Sequence, residues 1–352
     1  MKSDISSLLI FKAGILNDFL NIDNTEVYQI TTGGSSRKYF RLSSENKSYI
    51  YCEYADIAEL QRFLDITGIL HSSGINVPEI YHTDLSEKYL LIQDLGKKVI
   101  YDKIKSNEIE TLYIYKKIID RLIVMQTECG PALIKKYPER KFDASVYKWE
   151  TEYFRTMVLD KYLSADYDKL ELTKCFNHIA EYLWKPECLK PEKTLNKNGF
   201  FIHRDFQSQN ILYSEKKIYF IDYQTAYYGS NFYDLASLLY DPYSENEIKI
   251  YFGELYNYYK NKFIEKFELF GSEEFDRRFA LTSLQRLMQA NAAYVKLGLI
   301  ENKLFFKQFI DSALGKIYNI LMKTDFSAAS GADYLKSLFS KLEKEGKIKC
   351  AE

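Results

Sequence analysis

The chain has 352 residues, 46% of them hydrophobic, which is enough apolar material for a large buried core. Its 48 lysines and arginines nearly balance its 49 aspartates and glutamates. Because this balance produces no strong overall field, we expect no nucleic acid and no anionic membrane surface as a partner.

The five cysteines stand far apart, are odd in number and include no Cys-x-x-Cys pair. This pattern argues against both a disulfide framework and a zinc site, and reduced thiols in a cytoplasm explain it more simply. The apolar stretches are too short to cross a bilayer, and charged residues interrupt the apolar run at 1–20. The sequence therefore predicts a cytoplasmic protein.

The first part of the chain predicts a small sheet with one helix. Two β-rich stretches flank the polar, glycine-containing segment 31–36, a pattern typical of a hairpin. In chain order, the predicted elements are strands at 27–30, 39–42 and 49–53, a helix at 57–70, and strands at 77–81 and 89–92. This order describes a small α+β lobe.

Beyond Asp94-Leu95-Gly96 the pattern changes to long amphipathic helices, so we predict a hinge between two lobes there. The predicted helices lie at 108–126, 147–159, 170–183, 246–267, 275–297, 303–323 and 332–343. A short β-like stretch interrupts them, at 211–213 and 218–221. The expected fold is α+β and bilobal, with a small sheet-plus-helix lobe at 1–96 and a large, mainly helical lobe at 97–352.

The central part of the chain holds the residues most suited to chemistry. Asp205 and Asn210 stand five positions apart in a polar loop, and Asp222 follows another apolar run. Magnesium prefers hard oxygen ligands, and Asn210 and Asp222 offer an amide and a carboxylate oxygen. The loop matches the pattern His-Arg-Asp-x-x-x-x-Asn, whose aspartate accepts the proton of a hydroxyl that attacks a phosphoryl group. A turn or capping role is the alternative for a single loop aspartate, but this spacing favours phosphoryl transfer.

Five segments carry a resemblance to a known family. In chain order they are Gly33–Arg41, Leu91–Gly96, His203–Asn210, Ile221–Gln224 and Tyr233–Tyr243. On these segments the chain resembles the phosphotransferase family of aminoglycoside and choline kinases, which share the protein-kinase-like fold. Within that family it is most similar to the bacterial anomeric kinases of N-acetylmuramate and N-acetylglucosamine.

The resemblance implies a small-molecule kinase that uses ATP and Mg²⁺, with Asp205 as the catalytic base and Asn210 and Asp222 as metal ligands. It also implies that the hairpin tip covers the phosphates and that the hinge borders the adenine. The nucleotide-binding candidates are therefore Gly33, Gly34, Ser35, Ser36, Asp94, Leu95 and Gly96. Asp234 is expected either to brace the catalytic loop or to serve only as a carboxylate at a helix N-terminus.

One departure from the family pattern concerns the phosphates. Kinases of this fold place a lysine on the third strand, paired with a glutamate on the next helix. The predicted strand 49–53 has no lysine. We hypothesise that Arg37 or Arg41, which share one face of the second strand, supplies the missing charge. The alternative is a solvated arginine stripe, which leaves Glu59 on the helix without its usual partner.

The acceptor is predicted to be a sugar, and a role in cell-wall recycling would follow from an amino sugar. No long activation segment follows Asp222, which argues against a protein kinase. Neutral hydrogen-bonding groups near the base suit a sugar hydroxyl, and the residues expected near the acceptor are Arg204, Gln207, Gln224 and Asp241. Aminoglycosides, choline and other small molecules are alternative acceptors, and a catalytically inactive nucleotide-binding module is the alternative of a different class.

Overall fold

The computed structural model describes residues 18–20, 25–30, 37–44, 47–184, 199–267, 271–326 and 331–349. The chain divides into two compact units, the first formed by residues 1–100 and 210–224, the second by 101–209 and 225–352. The first unit thus also takes in a segment from the middle of the chain, and the lobe boundary at 96/97 stays a prediction. The predicted phosphate-covering residues Gly33, Gly34, Ser35 and Ser36 lie outside the described residues.

The strands, in chain order, are β1 (Glu26–Ile30), β2 (Lys38–Ser44), β3 (Lys47–Glu53), β4 (Ile80–Asp84), β5 (Tyr89–Gln93), β6 (Phe200–Ile202), β7 (Ile211–Ser214), β8 (Lys217–Phe220) and β9 (Tyr227–Gly229). The helices are α1 (Ile57–Ser72), α2 (Ile100–Lys105), α3 (Thr111–Val124), α4 (Gly130–Lys136), α5 (Ala144–Phe154), α6 (Lys169–Trp184), α7 (Phe232–Leu239), α8 (Glu245–Ile248), α9 (Phe252–Phe267), α10 (Ser272–Val295), α11 (Ile310–Lys323) and α12 (Asp333–Lys344). Wider π-helical turns extend α3, α5 and α10, at Met125–Cys129, Arg155–Tyr162 and Lys296–Ile300.

The first unit is built on an antiparallel sheet with the strand order β1-β2-β3-β5-β4. Phe40 and Leu42 alternate with more exposed neighbours along β2 and pack with Tyr51 and Leu91, as the period of two in a half-buried strand requires. Lys38 pairs with Glu53 at the end of the β2–β3 ladder. The predicted hairpin and third strand are therefore confirmed.

Strand β4 begins three residues later than predicted. Pro78 has no N–H to donate to a ladder, so the residues around it do not pair as a strand. The pairing of β4 with β5 starts at Ile80 and is irregular between Ile80 and His82. The prediction of a strand at 77–81 is therefore wrong, because the strand lies three residues further along the chain.

Helix α1 and the β7–β8 hairpin complete the first unit. The Asp56 side chain caps α1 by accepting from the N–H of Ala58. The hairpin is tied to the unit by the N–H of Phe220, which donates to the carbonyl of Asn76 at 3.0 Å. Tyr223, just after the hairpin, shares a 2.8 Å hydroxyl contact with Thr67 of α1. The residues that follow β8 are thereby held against α1.

The second unit is mainly helical, and the long helix α10 runs through its core. Most of α10 is buried, and it packs against α5, α7 and α11. Helix α3 begins at Thr111, later than predicted, because the Glu110 side chain caps it by accepting from the N–H of Tyr113. Within the described ranges, none of the helices combines the length and apolarity needed to span a membrane. The predicted α+β class, with a small sheet unit and a large helical unit, is confirmed.

A close approach of backbones fixes the short strands of the second unit. Strands β6 and β9 pair antiparallel, with Phe200 opposite Gly229. A Cβ atom at Gly229 would lie 2.9 Å from Ile202 Cδ1, 2.9 Å from Phe142 Cβ and 3.2 Å from the Phe142 carbonyl. Glycine is therefore required there by packing, in the strand that leads toward α7.

We expect Gly229→Ala to lower the free energy of unfolding by about 1–3 kcal/mol, because the added methyl group overpacks a site bounded partly by backbone. Gly253→Ala is the matched control, since Gly253 lies in the first turn of α9 and its added methyl group would meet nothing within 4 Å. That control should be neutral or stabilise by up to about 1 kcal/mol. Urea denaturation followed by circular dichroism measures both, and equal effects of the two substitutions would contradict this account.

Candidate active site

The loop after β6 is fastened to a buried carboxylate. The N–H groups of His203 and Arg204 donate to the two carboxylate oxygens of Asp234, at 2.7 and 2.9 Å. Asp234 lies in the first turn of α7 and is fully buried. Burial raises its pKa to about 7, against the lowering effect of the two amide hydrogen bonds. Asp234 was expected either to brace this loop or to serve only as a carboxylate at a helix N-terminus. Its two hydrogen bonds to the loop correspond to the first role.

The same loop is held a second time further along. Asp241 is buried, and its carboxylate accepts from the N–H of Ser208 at 2.8 Å and from the Ser244 hydroxyl at 3.0 Å. Burial raises the pKa of Asp241, while these hydrogen bonds favour its ionised form. These contacts give Asp241 a structural role in holding the loop. Its contact with the acceptor stays a prediction.

Asp205 lies between these two anchors and is accessible to a reactant. Its side chain is 44% exposed, and Arg286 of α10 places Nη2 3.7 Å from its Oδ1. The backbone carbonyl of Asp205 accepts from the N–H of Gln207 at 2.9 Å, which closes the turn. A half-exposed carboxylate in a loop held at both ends is open to a reactant, as a general base must be.

A small cavity that opens toward solvent lies in the second unit, and its enclosed part has room for about one water molecule. Its wall includes Gln207 of the loop after β6, Ser237 and Tyr240 at the end of α7, Arg286 and Tyr294 of α10, and Lys316 of α11. Gln207, predicted to contact the acceptor, therefore lines the mouth of a small pocket. The cavity combines neutral hydrogen-bonding groups, aromatic rings and two cations.

Arg204 is directed into the protein rather than toward this cavity. Its backbone has a φ of 82°, a left-handed conformation that is strained for a residue with a Cβ atom. Its guanidinium lies 5.6 Å from the ring centre of Tyr227 and 3.9 Å from Oε1 of the fully buried Glu150. Burial raises the pKa of Glu150, which the nearby guanidinium opposes. A contact of Arg204 with the acceptor stays a prediction.

In the first unit, the β7–β8 hairpin brings Asn210 and Asp222 to the same end of two paired strands. The N–H of Ile221 donates to the carbonyl of Asn210 at 3.0 Å, next to Asp222. Asp222 has a φ of 65°, so it leaves the strand in the left-handed region. Its Oδ1 accepts from the amide of Gln224 at 2.7 Å. Gln224 therefore supports Asp222, and its contact with an acceptor stays a prediction.

Arg37 contacts both Asp222 and helix α1. Its Nη2 donates to Asp222 Oδ1 at 3.0 Å, and its Nε lies 3.4 Å from Oε1 of Glu59. The Arg37 side chain is only 8% exposed, and its guanidinium packs over the ring of Tyr54. Although burial opposes its charge, the neighbouring acidic groups raise the pKa of Arg37 above its ordinary value. Arg37 is thus buried rather than part of a solvated stripe, and Glu59 has a cationic partner.

Arg41 contacts the segment that was predicted as the hinge. Its Nε and Nη2 donate to the two carboxylate oxygens of Asp94 at 2.6 and 3.0 Å, and Nη2 also donates to the carbonyl of Gly96 at 2.9 Å. Burial opposes ionisation of Asp94, yet the hydrogen bonds from Arg41, Ser48 and the Gly96 N–H hold its pKa below the ordinary value. Arg41 therefore clamps the hinge, and adenine contacts by Asp94, Leu95 and Gly96 stay predictions.

The donor set at the end of the β7–β8 hairpin fits magnesium. Among the described residues, no group of three or more histidine, cysteine or carboxylate side chains forms a metal cage. Asn210 and Asp222 instead offer two oxygen donors, and the Asp222 side chain is 40% exposed. Mg²⁺ commonly binds proteins through one or two carboxylates and takes its other ligands from water and nucleotide phosphates.

The sequence prediction missed the cation nearest to the base. Arg286 stands 81 positions after Asp205, in a helix that was predicted without any functional residue. Its only signal is its position among the buried residues Leu284, Leu287 and Met288, since a buried arginine needs a partner. Such a signal indicates a buried ion pair but not the partner.

Comparison with known proteins supports the family resemblance. The family model described as "Phosphotransferase enzyme family" matches residues 26–262. The chain is similar to the N-acetylmuramate/N-acetylglucosamine kinase of Pseudomonas aeruginosa, 26% identical over 218 residues, which are 61% of this chain and 60% of that protein. It is also similar to the protein of the same name from Neisseria meningitidis, 22% identical over 74% of this chain and 75% of that one. The match thus spans about three fifths of the length of the Pseudomonas relative.

Solved structures support the fold. The structure of choline kinase from Cryptosporidium parvum matches with a TM-score of 0.54 at 14% identity, over 96% of this chain and 97% of that one. This likeness confirms the predicted protein-kinase-like fold, and at such identity it concerns the fold alone. Since the family model matches more than half of its residues, the chain belongs to the phosphotransferase enzyme family.

Proposed function

We propose that this protein is an ATP- and Mg²⁺-dependent cytoplasmic kinase of an amino sugar that phosphorylates the anomeric hydroxyl. The observation that carries the proposal is the half-exposed carboxylate of Asp205, in a loop braced by Asp234 and next to Gln207 in the cavity wall. Phosphoryl transfer needs positioning and charge stabilisation more than covalent chemistry, so a fixed base beside an acceptor cavity is the main requirement.

In the proposed reaction, Asp205 orients the acceptor hydroxyl and takes its proton while the hydroxyl oxygen bonds to the γ-phosphorus. The bond from that phosphorus to the bridging oxygen breaks, and ADP leaves with the electron pair. Asn210 and Asp222 would hold Mg²⁺, which neutralises phosphate charge when bound. Gln207 would accept or donate hydrogen bonds to the acceptor from the cavity wall.

Arg37 would replace the missing lysine of the third strand. Its guanidinium is fixed by Glu59 on one side and by Asp222 on the other. Arginine binds phosphate through a planar fork of donors and keeps its charge when buried, so it can perform the task of a lysine from a neighbouring strand. Arg41 is a weaker candidate, because Asp94 and Gly96 already take up its donors.

The cavity wall and the relatives together favour an amino sugar. The curated relatives are named N-acetylmuramate/N-acetylglucosamine kinases, while the structural neighbour is a choline kinase. Arg286 and Lys316 pair with Asp205 and Glu245, so these two carboxylates are already matched by cations and attract a positively charged acceptor such as choline or an aminoglycoside less strongly. Tyr240, Tyr294 and Gln207 offer aromatic faces and neutral hydrogen bonds, which suit a sugar. A cell-wall recycling role would follow from this substrate.

We expect the purified protein to convert N-acetylmuramate or N-acetylglucosamine to the 1-phosphate with ATP and Mg²⁺, and to stop when EDTA removes the metal. Asp205→Asn should lower kcat at least about 100-fold, because the hydroxyl loses its proton acceptor. Coupled ADP release measures the rate, and ³¹P NMR identifies the phosphorylated oxygen. Hexoses, choline and an aminoglycoside complete the panel.

The matched control is Asp333→Asn, which makes the same change at an exposed position in the first turn of α12. It should leave kcat within about twofold. Near-wild-type turnover by Asp205→Asn would refute the assigned base, and turnover of choline or the aminoglycoside alone would refute the sugar. A protein that binds ATP yet phosphorylates none of the panel would favour the inactive binding module.

Removing the charge of Arg37 should weaken nucleotide binding. Arg37→Met is expected to raise the Kd of ATP·Mg²⁺ at least about tenfold, since a buried charge-assisted phosphate contact is lost. Lys38→Met is the matched control, because it removes the same charge at the next, exposed residue. It should leave the Kd within about threefold. Isothermal titration calorimetry measures both.

Glu59→Gln provides a milder second variant in case Arg37→Met does not fold. It keeps the shape of the side chain and removes the charge that holds Arg37, so we expect an intermediate Kd. An unchanged Kd in both folded variants would show that another group supplies the charge to the phosphates.

A further inference from the structure

A positive charge beside the proposed base comes from a helix far along the chain. Protein kinases commonly place a lysine two residues after the catalytic aspartate, but here that position is Gln207. Arg286 of α10 instead approaches Asp205, with Nη2 3.7 Å from Oδ1. Both Gln207 and Arg286 line the cavity of the second unit. Arg286 therefore contacts the base and the proposed acceptor space at once.

The Arg286 side chain is held firmly for this contact. It is 6% exposed, and its Nε donates to the Ser237 hydroxyl at 3.2 Å. Its Nη1 donates to Gln289 one turn further along α10, and its guanidinium lies 5.9 Å from the ring centre of Tyr233. The Nη2 group is thereby left directed at Asp205. A planar guanidinium fixed in this way orients a carboxylate better than a flexible ammonium does.

A second buried arginine on the same helix provides a comparison, because its ion pair lies within that helix and serves packing only. Arg278 is as deeply buried, two turns before Arg286, and its Nε donates to Glu274 of its own helix at 2.7 Å. Arg286 does not pair with a residue of its own helix in this way, and its ion pair crosses to the catalytic loop. Burying the guanidinium of an arginine costs free energy, and a half-exposed carboxylate offsets only part of that cost. A buried arginine paired in this way is typical of a functional site.

We propose that Arg286 is a positioning residue for the transfer step, which holds the ionised carboxylate of Asp205 against the wall of the acceptor cavity. This role rests on the proposed kinase function. It keeps the base aligned with the acceptor hydroxyl before the O–P bond forms, so that little reorganisation is needed when the proton moves. Ser237 acts indirectly, by fixing the guanidinium.

The test compares Arg286→Met, Arg286→Lys and Arg278→Met in the full-length enzyme, with the amino sugar that the wild type phosphorylates. We expect kcat to fall about 100-fold in Arg286→Met and about tenfold in Arg286→Lys, with the KM for ATP within about twofold. Arg278→Met should lose thermal stability but keep kcat within about threefold.

A double-mutant cycle separates positioning from a general structural role. In an Asp205→Asn background, Arg286→Met should lower the residual rate of ³²P transfer by no more than about threefold, because the carboxylate it orients is already gone. Ser237→Ala serves if Arg286→Met does not fold. It removes the hydrogen bond that fixes the guanidinium, so it should reduce kcat about threefold to tenfold and leave the KM for ATP within about twofold.

The outcomes are distinguishable from a failure of the proposed function. A wild-type protein that phosphorylates none of the sugars overturns the proposed function and this role with it. An active wild type whose Arg286→Met variant matches Arg278→Met in kcat overturns the role of Arg286 alone. Full additivity with Asp205→Asn would also refute it.

Discussion

Two backbone amides that donate to one buried carboxylate fix the loop on which the proposed base stands. Asp234 accepts from the N–H groups of His203 and Arg204, and the second of these residues has a strained, left-handed backbone. Burying a carboxylate costs several kcal/mol, and each amide bond to a charged acceptor returns about 1.5–3 kcal/mol. The brace therefore adds little net stability. What it provides is a fixed loop, from which the Asp205 side chain projects half-exposed.

Near this brace, ion pairs of the second unit link three elements, which are α5, the loop after β6 and α10. Glu150 of α5 accepts from the hydroxyl of Tyr233 at 2.8 Å and faces Arg204, while Arg286 of α10 faces Asp205. Each of these cations is thus matched to a different carboxylate, one fully buried and one open to solvent. A displacement of α5 or α10 would change the charge around the base, so the helical core and the catalytic loop are mechanically coupled.

The sequence predicted the features that depend on residues close together in the chain. It did not predict contacts between residues that are far apart in the chain. The alternation in β2 and the caps of α1 are local, so the sheet and its helix were predicted closely, apart from the shift that Pro78 imposes on β4. The motif from His203 to Asn210 predicts Asp205 as the base because its spacing is fixed within one loop, and that role stays a prediction. Neither the burial of Arg37 nor the approach of Arg286 is encoded locally, because each depends on how separate elements pack.

The position of Arg37 explains how a third strand without a lysine is compatible with phosphate binding. Lys38 pairs with Glu53 across the β2–β3 ladder, so Arg37 lies opposite Tyr54, directly beyond the end of the third strand. Its guanidinium packs on the Tyr54 ring and contacts Glu59 of α1, the expected partner of the absent lysine. The charge lies at the residue just before the adjacent strand, while its partner Glu59 is on the helix where the family pattern places it. Because arginine is longer and offers several donors, it also contacts Asp222, which couples the proposed phosphate-binding cation directly to a proposed metal ligand.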